Sequence, residues 1–359
     1  MGSTTSHGRL SLLYALATLF PSASASWGNP LEKLLPDSNA GFQHILHNSC
    51  SAEYAALIGN GDDVAITDSL LYKFDANSGI NAVVNCMLEA TPELVKFKMA
   101  SVQVLLGLTP AILATLGATP QETGMLAVIA RRPLLALLLS FASPAVFPLR
   151  SSEYTRGIKE LNRCHMNRPD CLARADPAIV LLEYLLTVAS IANIGELGYR
   201  LGAQVVLSLR ATAPYFFVLW PFLGAIIHML GATALRMRTK VVAQTRESEE
   251  QTQHQRKNSS AIESLRSSIQ QPGVRNARVN VTILPESLGF FFMSWFTAVG
   301  TAVHIIFGTT IFSSMLFVSI DDGCIIIVRL MASVVVCRVI LTYELAILRG
   351  KVEVTEINE

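Results

Sequence analysis

Glu183, Glu196, His304 and Arg338 sit inside apolar runs long enough to cross a bilayer. A charged group at the centre of a spanning helix costs roughly 2.5–3.5 kcal/mol on insertion scales, so it survives there paired or at work. A histidine, an arginine and two acids together would suit a polar pathway that binds an anion or relays protons. The competing role is structural, with the same groups joining helices as a packing device. The sequence leaves both open, and His228 is a further intramembrane candidate.

The stretch "IIIVRLMASVVVCRVILTYELAI" (325–347) poses the question most sharply. Arg329 and Glu344 lie towards its ends, where a long side chain can snorkel outward. Arg338 is the deep one. If "SIDDG" (319–323) is a tight turn in an antiparallel helical hairpin, counting outward from it sets His304 at the depth of Arg338. An imidazole cannot neutralise a guanidinium, so a carboxylate partner is expected, Glu183 first and Glu196 second. Arg329 and Arg338 are about 180° apart around a helix and must face different partners.

Catalytic constellations are harder to find. Asp62-Asp63 and Asp321-Asp322 are paired acids without a second acidic cluster, and read as turn residues. "CHMNRPDC", with Cys164 and Cys171, does not have the spacing of a zinc site. There is no glycine-rich phosphate loop or dinucleotide fingerprint. The reading assigns no catalytic residue, no metal and no cofactor. Net charge is +1, which gives nucleic acid no electrostatic purchase.

The elements that must position these residues follow from composition. The chain is 51% hydrophobic and 15% charged, where soluble domains carry about 25% charge. Its apolar runs predict an all-α polytopic membrane protein with about six transmembrane helices and a small lumenal or extracellular N-terminal region. Residues 1–26 read as a signal peptide: Arg9, a short apolar core and "PSASAS" before the cleavage point. The region 27–98 follows; it would lie in a compartment that permits disulfides, and Cys50 with Cys86 is the expected bridge. Cys164 and Cys171 form a second bridge or stay as two thiols.

Apolar segments are expected at 99–118, 133–149, 178–198, 211–235, 288–319 and 323–347. The first four make a membrane domain over 99–235. A polar linker over 236–286, rich in Gln, Ser and charge, separates it from a C-terminal transmembrane hairpin at 287–349 and a tail at 350–359. Asn258 and Asn280 head glycosylation sequons. Six full spans would put both basic loops, 150–176 and 236–286, on the lumenal side, against the positive-inside rule. The alternative is that 99–149 crosses once, with part re-entrant around "IARRPLL". The six-span reading is preferred at this point.

The stretch "NCMLEATPELVKFKMASVQVLLGLTPAILATLGATPQETGMLAVIARRPLLALLLSFASPAVFPLR" (85–150) resembles a large family of uncharacterised multi-pass membrane proteins of filamentous fungi, as does "WFTAVGTAVHIIFGTTIFSSMLFVSIDDG" (295–323). The resemblance implies a signal sequence, a cysteine-containing ectodomain and a helical membrane domain, and no established activity. The expectation is therefore an integral membrane protein of the secretory pathway, at the plasma membrane, with the lipid bilayer as partner. It would be transporter-like or a membrane scaffold, not itself catalytic. A membrane enzyme acting on a lipophilic substrate is the alternative.

Overall fold

The computed structural model describes residues 29–59, 78–148, 153–163, 176–209, 214–244, 278–349 and 352–356. The expected signal peptide, Cys164, Cys171, Asp62, Asp63 and Asn258 lie outside the described residues. The chain is an all-α polytopic membrane protein, and among the described residues five helices are long and apolar enough to cross a bilayer.

The N-terminal region holds α1 (Pro36–Asn48), α2 (Ser51–Leu57) and α3 (Ser78–Ala90). Cys50, at the start of α2, is bonded to Cys86 in α3. The long helices are α4 (Glu93–Leu116), α8 (Asp176–Gln204), α9 (Phe216–Arg238), α10 (Leu288–Ser313) and α11 (Ile320–Leu348). Between α4 and α8 come three short ones: α5 (Pro120–Val128), α6 (Pro133–Ala142) and α7 (Glu153–Arg163).

The expected second span, 133–149, does not form. Its helix α6 has 10 residues, about 15 Å by helical rise, against a hydrocarbon core of about 30 Å. Local chemistry explains why. The helix begins at Pro133 as expected, after Arg131 takes a left-handed backbone with φ of 55°. It ends at Ala142 because Ser143 is extended, with φ of -107° and ψ of 109°; Ser143 precedes Pro144, and the residue before a proline is disfavoured in the α region.

Two small sheets fix which helix ends lie together. β1 (Val206–Leu207), after α8, pairs with β4 (Met315–Leu316), after α10. Val206 and Phe317 are buried in the same cluster as Phe42, Leu46, Val83 and Met87 of the N-terminal helices. That end of the bundle carries the N-terminal helices, the expected ectodomain. At the other end β2 (Thr239–Gln244), β3 (Arg278–Ile283) and β5 (Val352–Glu356) form one sheet, β3 central, antiparallel to β2 and parallel to β5. The expected linker thus begins and ends in paired strands, and the described part of the expected tail, Val352–Glu356, is an edge strand. Amphipathic α7 packs against β5 and buries Ile158 and Leu161 beside it.

Crossing directions then follow. α4 leaves the ectodomain end, α8 returns to it, α9 leaves, α10 returns and α11 leaves. The segment with α5 and α6 adds no net crossing after α4, as the re-entrant alternative required.

The C-terminal hairpin is also corrected. α10 packs on α9 and α4, while α11 packs on α8, α4 and α5, so α4 lies between the supposed partners. The connection runs from Ser314 to Ser319, and Ser319 caps α11 by accepting from Asp322 N–H at 3.0 Å. Asp321 and Asp322 therefore belong to the first helical turn. The Asp322 carboxylate accepts from Ser319 Oγ at 3.1 Å and from the backbone N–H groups of Asp37 and Ser38 in α1, joining bundle to ectodomain.

Lipid-facing surfaces are plain on α10, where Phe291, Phe292, Trp295, Phe296, Val303 and Ile306 all point outward. In water such a ridge would be a liability; in a bilayer it is the contact surface.

Candidate functional site: a broken helix and buried ion pairs

Helix α4 stops at Leu116 because the chain must pass another backbone. A Cβ on Gly117 would lie 2.8 Å from the Ala145 carbonyl oxygen, a separation only glycine avoids. Ala118 bridges to Val146, and Phe147 N–H donates to the Ala118 carbonyl at 3.1 Å. A new helix starts at once. Thr119 and Glu122 form a reciprocal cap for α5, with Thr119 Oγ1 accepting from Glu122 N–H at 3.0 Å and Glu122 Oε2 accepting from Thr119 N–H at 2.9 Å. Two orphan N–H groups are thus satisfied inside an apolar bundle, where water cannot serve them.

Glu122 has a second duty. The same oxygen, Oε2, accepts from Arg338 Nη1 at 2.5 Å. The carboxylate thus joins the start of α5 to the side of α11.

The connection from α6 back to α7 passes two histidines, each 2% exposed. His304 Nε2 lies 2.9 Å from the Pro144 carbonyl oxygen. A carbonyl only accepts, so Nε2 carries the proton. The ring stacks on Trp220 at 5.3 Å and 5°, and Trp220 Nε1–H donates to the His304 carbonyl at 3.3 Å. Small residues make room: a Cβ on Gly308 would sit 2.4 Å from Trp220 Nε1. His228 Nδ1 meets Thr123 Oγ1 at 3.0 Å.

Towards the sheet end, Arg132 Nη1 reaches Glu183 Oε2 of α8 at 2.8 Å and Glu344 Oε2 of α11 at 2.7 Å. Glu183 is 4% exposed and Glu344 3%. Tyr184 lies 5.8 Å from the guanidinium across its ring. Towards the ectodomain end, Arg329 pairs with Glu196, which also pairs with Arg200 at 2.7 Å. Arg329 Nε donates to Asn193 Oδ1 at 2.8 Å, and Asn193 Nδ2 donates back to the Arg329 carbonyl at 3.0 Å. Asn280 lies on the central strand β3, opposite Val242 and Glu353.

The four expected site residues are thus divided among separate places. Arg338 is paired with Glu122, His304 with Pro144 and Trp220, Glu183 with Arg132 and Glu344, and Glu196 with Arg200 and Arg329. The depth match failed because the turn was placed too late. Counting from the observed Ser314–Ser319 connection sets Arg338 near the level of Trp295 instead. The opposite facing of Arg329 and Arg338 holds: one meets α8, the other α5.

Three charged residues carry more than the sequence reading gave them. Arg132 was seen only as an interruption, and Glu344 as a snorkelling end group. Glu122 went unnoticed, although "TPQE" (119–122) has the spacing of a capping box with proline at the first helical position.

The chain matches no protein-family model, no curated protein and no solved structure.

Proposed function

We propose that this is a transport protein of the secretory pathway, at the plasma membrane, with the ectodomain end facing outward and the sheet end facing the cytosol. It has no catalysis of its own, and its relatives are the fungal multi-pass proteins that 85–150 and 295–323 resemble. One observation carries the transport reading: the interruption at Gly117–Thr119, where α4 ends and α5 begins inside the bundle beside His228 and His304. Discontinuous helices meeting buried polar groups are how transporters build sites away from lipid. The ion pairs of Arg338 and Arg132 continue that polar interior towards the sheet end.

Charge supports the orientation. The sheet end carries Arg156, Lys159, Arg236, Arg238 and Lys240 close to helix ends, whereas Lys33 and Lys73 are the only Lys or Arg in the sequence between residues 29 and 92. Basic residues stay cytosolic, and the Cys50–Cys86 bond belongs on the oxidising side. With five crossings both requirements are met, so the conflict that six spans created disappears.

A scaffold reading draws on one other feature. A cleft of about 550 Å³ opens between ectodomain and bundle, lined by Asp37, Phe42, Lys98, Met99, Ser319 and Asp321. The experiment that separates the readings is flux of protons and small anions into proteoliposomes of the purified chain. Flux above that of empty vesicles, lost on Arg338→Leu, is expected for transport; none under any gradient removes it.

A further inference from the structure

We infer that the cleft between the N-terminal helices and the bundle holds the headgroup of a phospholipid bearing a primary amine, its phosphate at Lys98 and its ammonium between Asp37 and Asp321. The inference goes beyond transport: it gives the cleft an occupant whatever the bundle carries.

Unmet charge in one enclosed space carries it. The cleft has a volume of about 550 Å³, within the range of about 300–1,000 Å³ usual for small-molecule sites. Lys98 on α4, Asp37 on α1 and Asp321 on α11 all line it with exposed side chains. Among the described residues, none of the three has an ion-pair partner. Both signs of charge thus border one space without neutralising each other. An anionic headgroup would satisfy Lys98 but confront both acids. A simple cation would leave Lys98 unmet. A zwitterion answers both signs, as complementary surfaces do.

The acids also choose the amine. A primary ammonium has three donors, and its hydrogen bonds to carboxylates are charge-assisted. A quaternary ammonium has no donor and is held by aromatic cages, whereas Phe42 is the one aromatic among the described residues lining the cleft. A second cleft, of about 380 Å³, shares Asp37 and Asp321 and adds Arg200 and Arg329. Those two guanidiniums are already engaged by Glu196, so Lys98 is the cation left for the phosphate.

Depth and surface make the ligand a lipid. Helix α11 has 29 residues, about 44 Å by helical rise. That matches the thickness of about 40–45 Å for a bilayer with its headgroup layers. Asp321 is the second residue of α11 and so stands at headgroup level. Lys98 lies about 8 Å along α4 from Glu93 by the same rise, at the end of the bundle where α4 starts. Leu94 and Phe97 on α4 and Ile320 and Ile325 on α11 are exposed. Acyl chains leaving the cleft therefore meet an apolar surface.

The test is native mass spectrometry of the full chain in detergent. It is titrated with phosphatidylethanolamine, phosphatidylcholine and phosphatidylglycerol of identical acyl chains. The ethanolamine lipid should bind about tenfold more tightly than either, the worth of one charge-assisted hydrogen bond. Lys98→Ala should weaken it by a similar factor. Asp37→Asn and Asp321→Asn should each reduce its preference over phosphatidylcholine. All three side chains are exposed, so the variants should melt with the native protein; where one does not, the other two decide. No preference among the lipids overturns the inference, as does a preference indifferent to Lys98→Ala or to both acid substitutions. Equal binding of soluble glycerophosphoethanolamine overturns it too, because the ligand would then be a water-borne phosphate ester. Tighter binding of an alkylamine without phosphate removes the role of Lys98 and overturns it likewise.

Discussion

Arg338 and Glu122 meet at 2.5 Å across 216 residues of sequence, and the carboxylate oxygen that takes the guanidinium is the same one that caps α5. One acid thus holds a helix start and a helix crossing together. Its loss would free a half-exposed cation and an orphan N–H at once.

Glu122→Ala should therefore cost more than Arg338→Ala in reversible unfolding. Loss of an N-terminal cap alone is worth about 1 kcal/mol, and breaking a partly exposed ion pair adds a smaller amount. A double-mutant cycle should return coupling above about 0.5 kcal/mol between the two sites. Cysteines at 122 and 338 should cross-link in a background lacking native cysteines, and a 304–338 pair should not. Additive substitutions would show that cap and ion pair are independent.

Gly117→Ala should destabilise by about 1–3 kcal/mol as an overpacked site, since its Cβ would meet the Ala145 oxygen at 2.8 Å. Gly195→Ala is the control, with nothing within 4 Å of its Cβ. Thermal midpoints of the two variants in the same detergent decide; equal midpoints would mean the backbone can part there at no cost.

Asn258 and Asn280 should carry no glycan, because the strands flanking that loop lie at the basic end. Mobility on gels should not change with glycosidase treatment. A tag on the C-terminus should be cut by protease added to the cytosolic face of intact microsomes. Glycan on either residue would reverse the orientation.

Reduction of the Cys50–Cys86 bond should loosen the ectodomain before the bundle. Losing such a bond in a small secreted unit costs about 2–5 kcal/mol. Non-reducing peptide mapping should recover the linked pair, and Cys50→Ser should raise hydrogen exchange in α1–α3 while leaving α8 to α11 protected. Unchanged exchange in α1–α3 would assign their stability to Phe317 packing alone.

Membrane residence, the long helices and the disulfide were legible because each rests on local composition: apolar length, or two cysteines ahead of the first span. The six-span count failed at Ser143, which is extended ahead of Pro144 and stops a segment that hydropathy alone would run on. The site failed for a different reason. Pairing Arg338 with Glu122, or Arg132 with Glu183 and Glu344, depends on α4 lying between α10 and α11. Nothing in the spacing of those residues encodes which helix enters between two neighbours in sequence.

Phe317 is 1% exposed, edge-on to Phe42 at 4.9 Å, and Val206 is fully buried in the same cluster. The ectodomain is the first described part of the chain to leave the ribosome, yet its core includes side chains made much later. At about 5–20 residues per second, Phe317 follows Cys86 by on the order of ten to fifty seconds. Throughout that interval α1 and α3 expose the apolar face that Phe317 will cover, held together by the disulfide and open to chaperones. Maturation of the ectodomain is thus timed by synthesis of the fourth long helix, and a nascent chain stalled before residue 317 should be retained by quality control with its disulfide already formed.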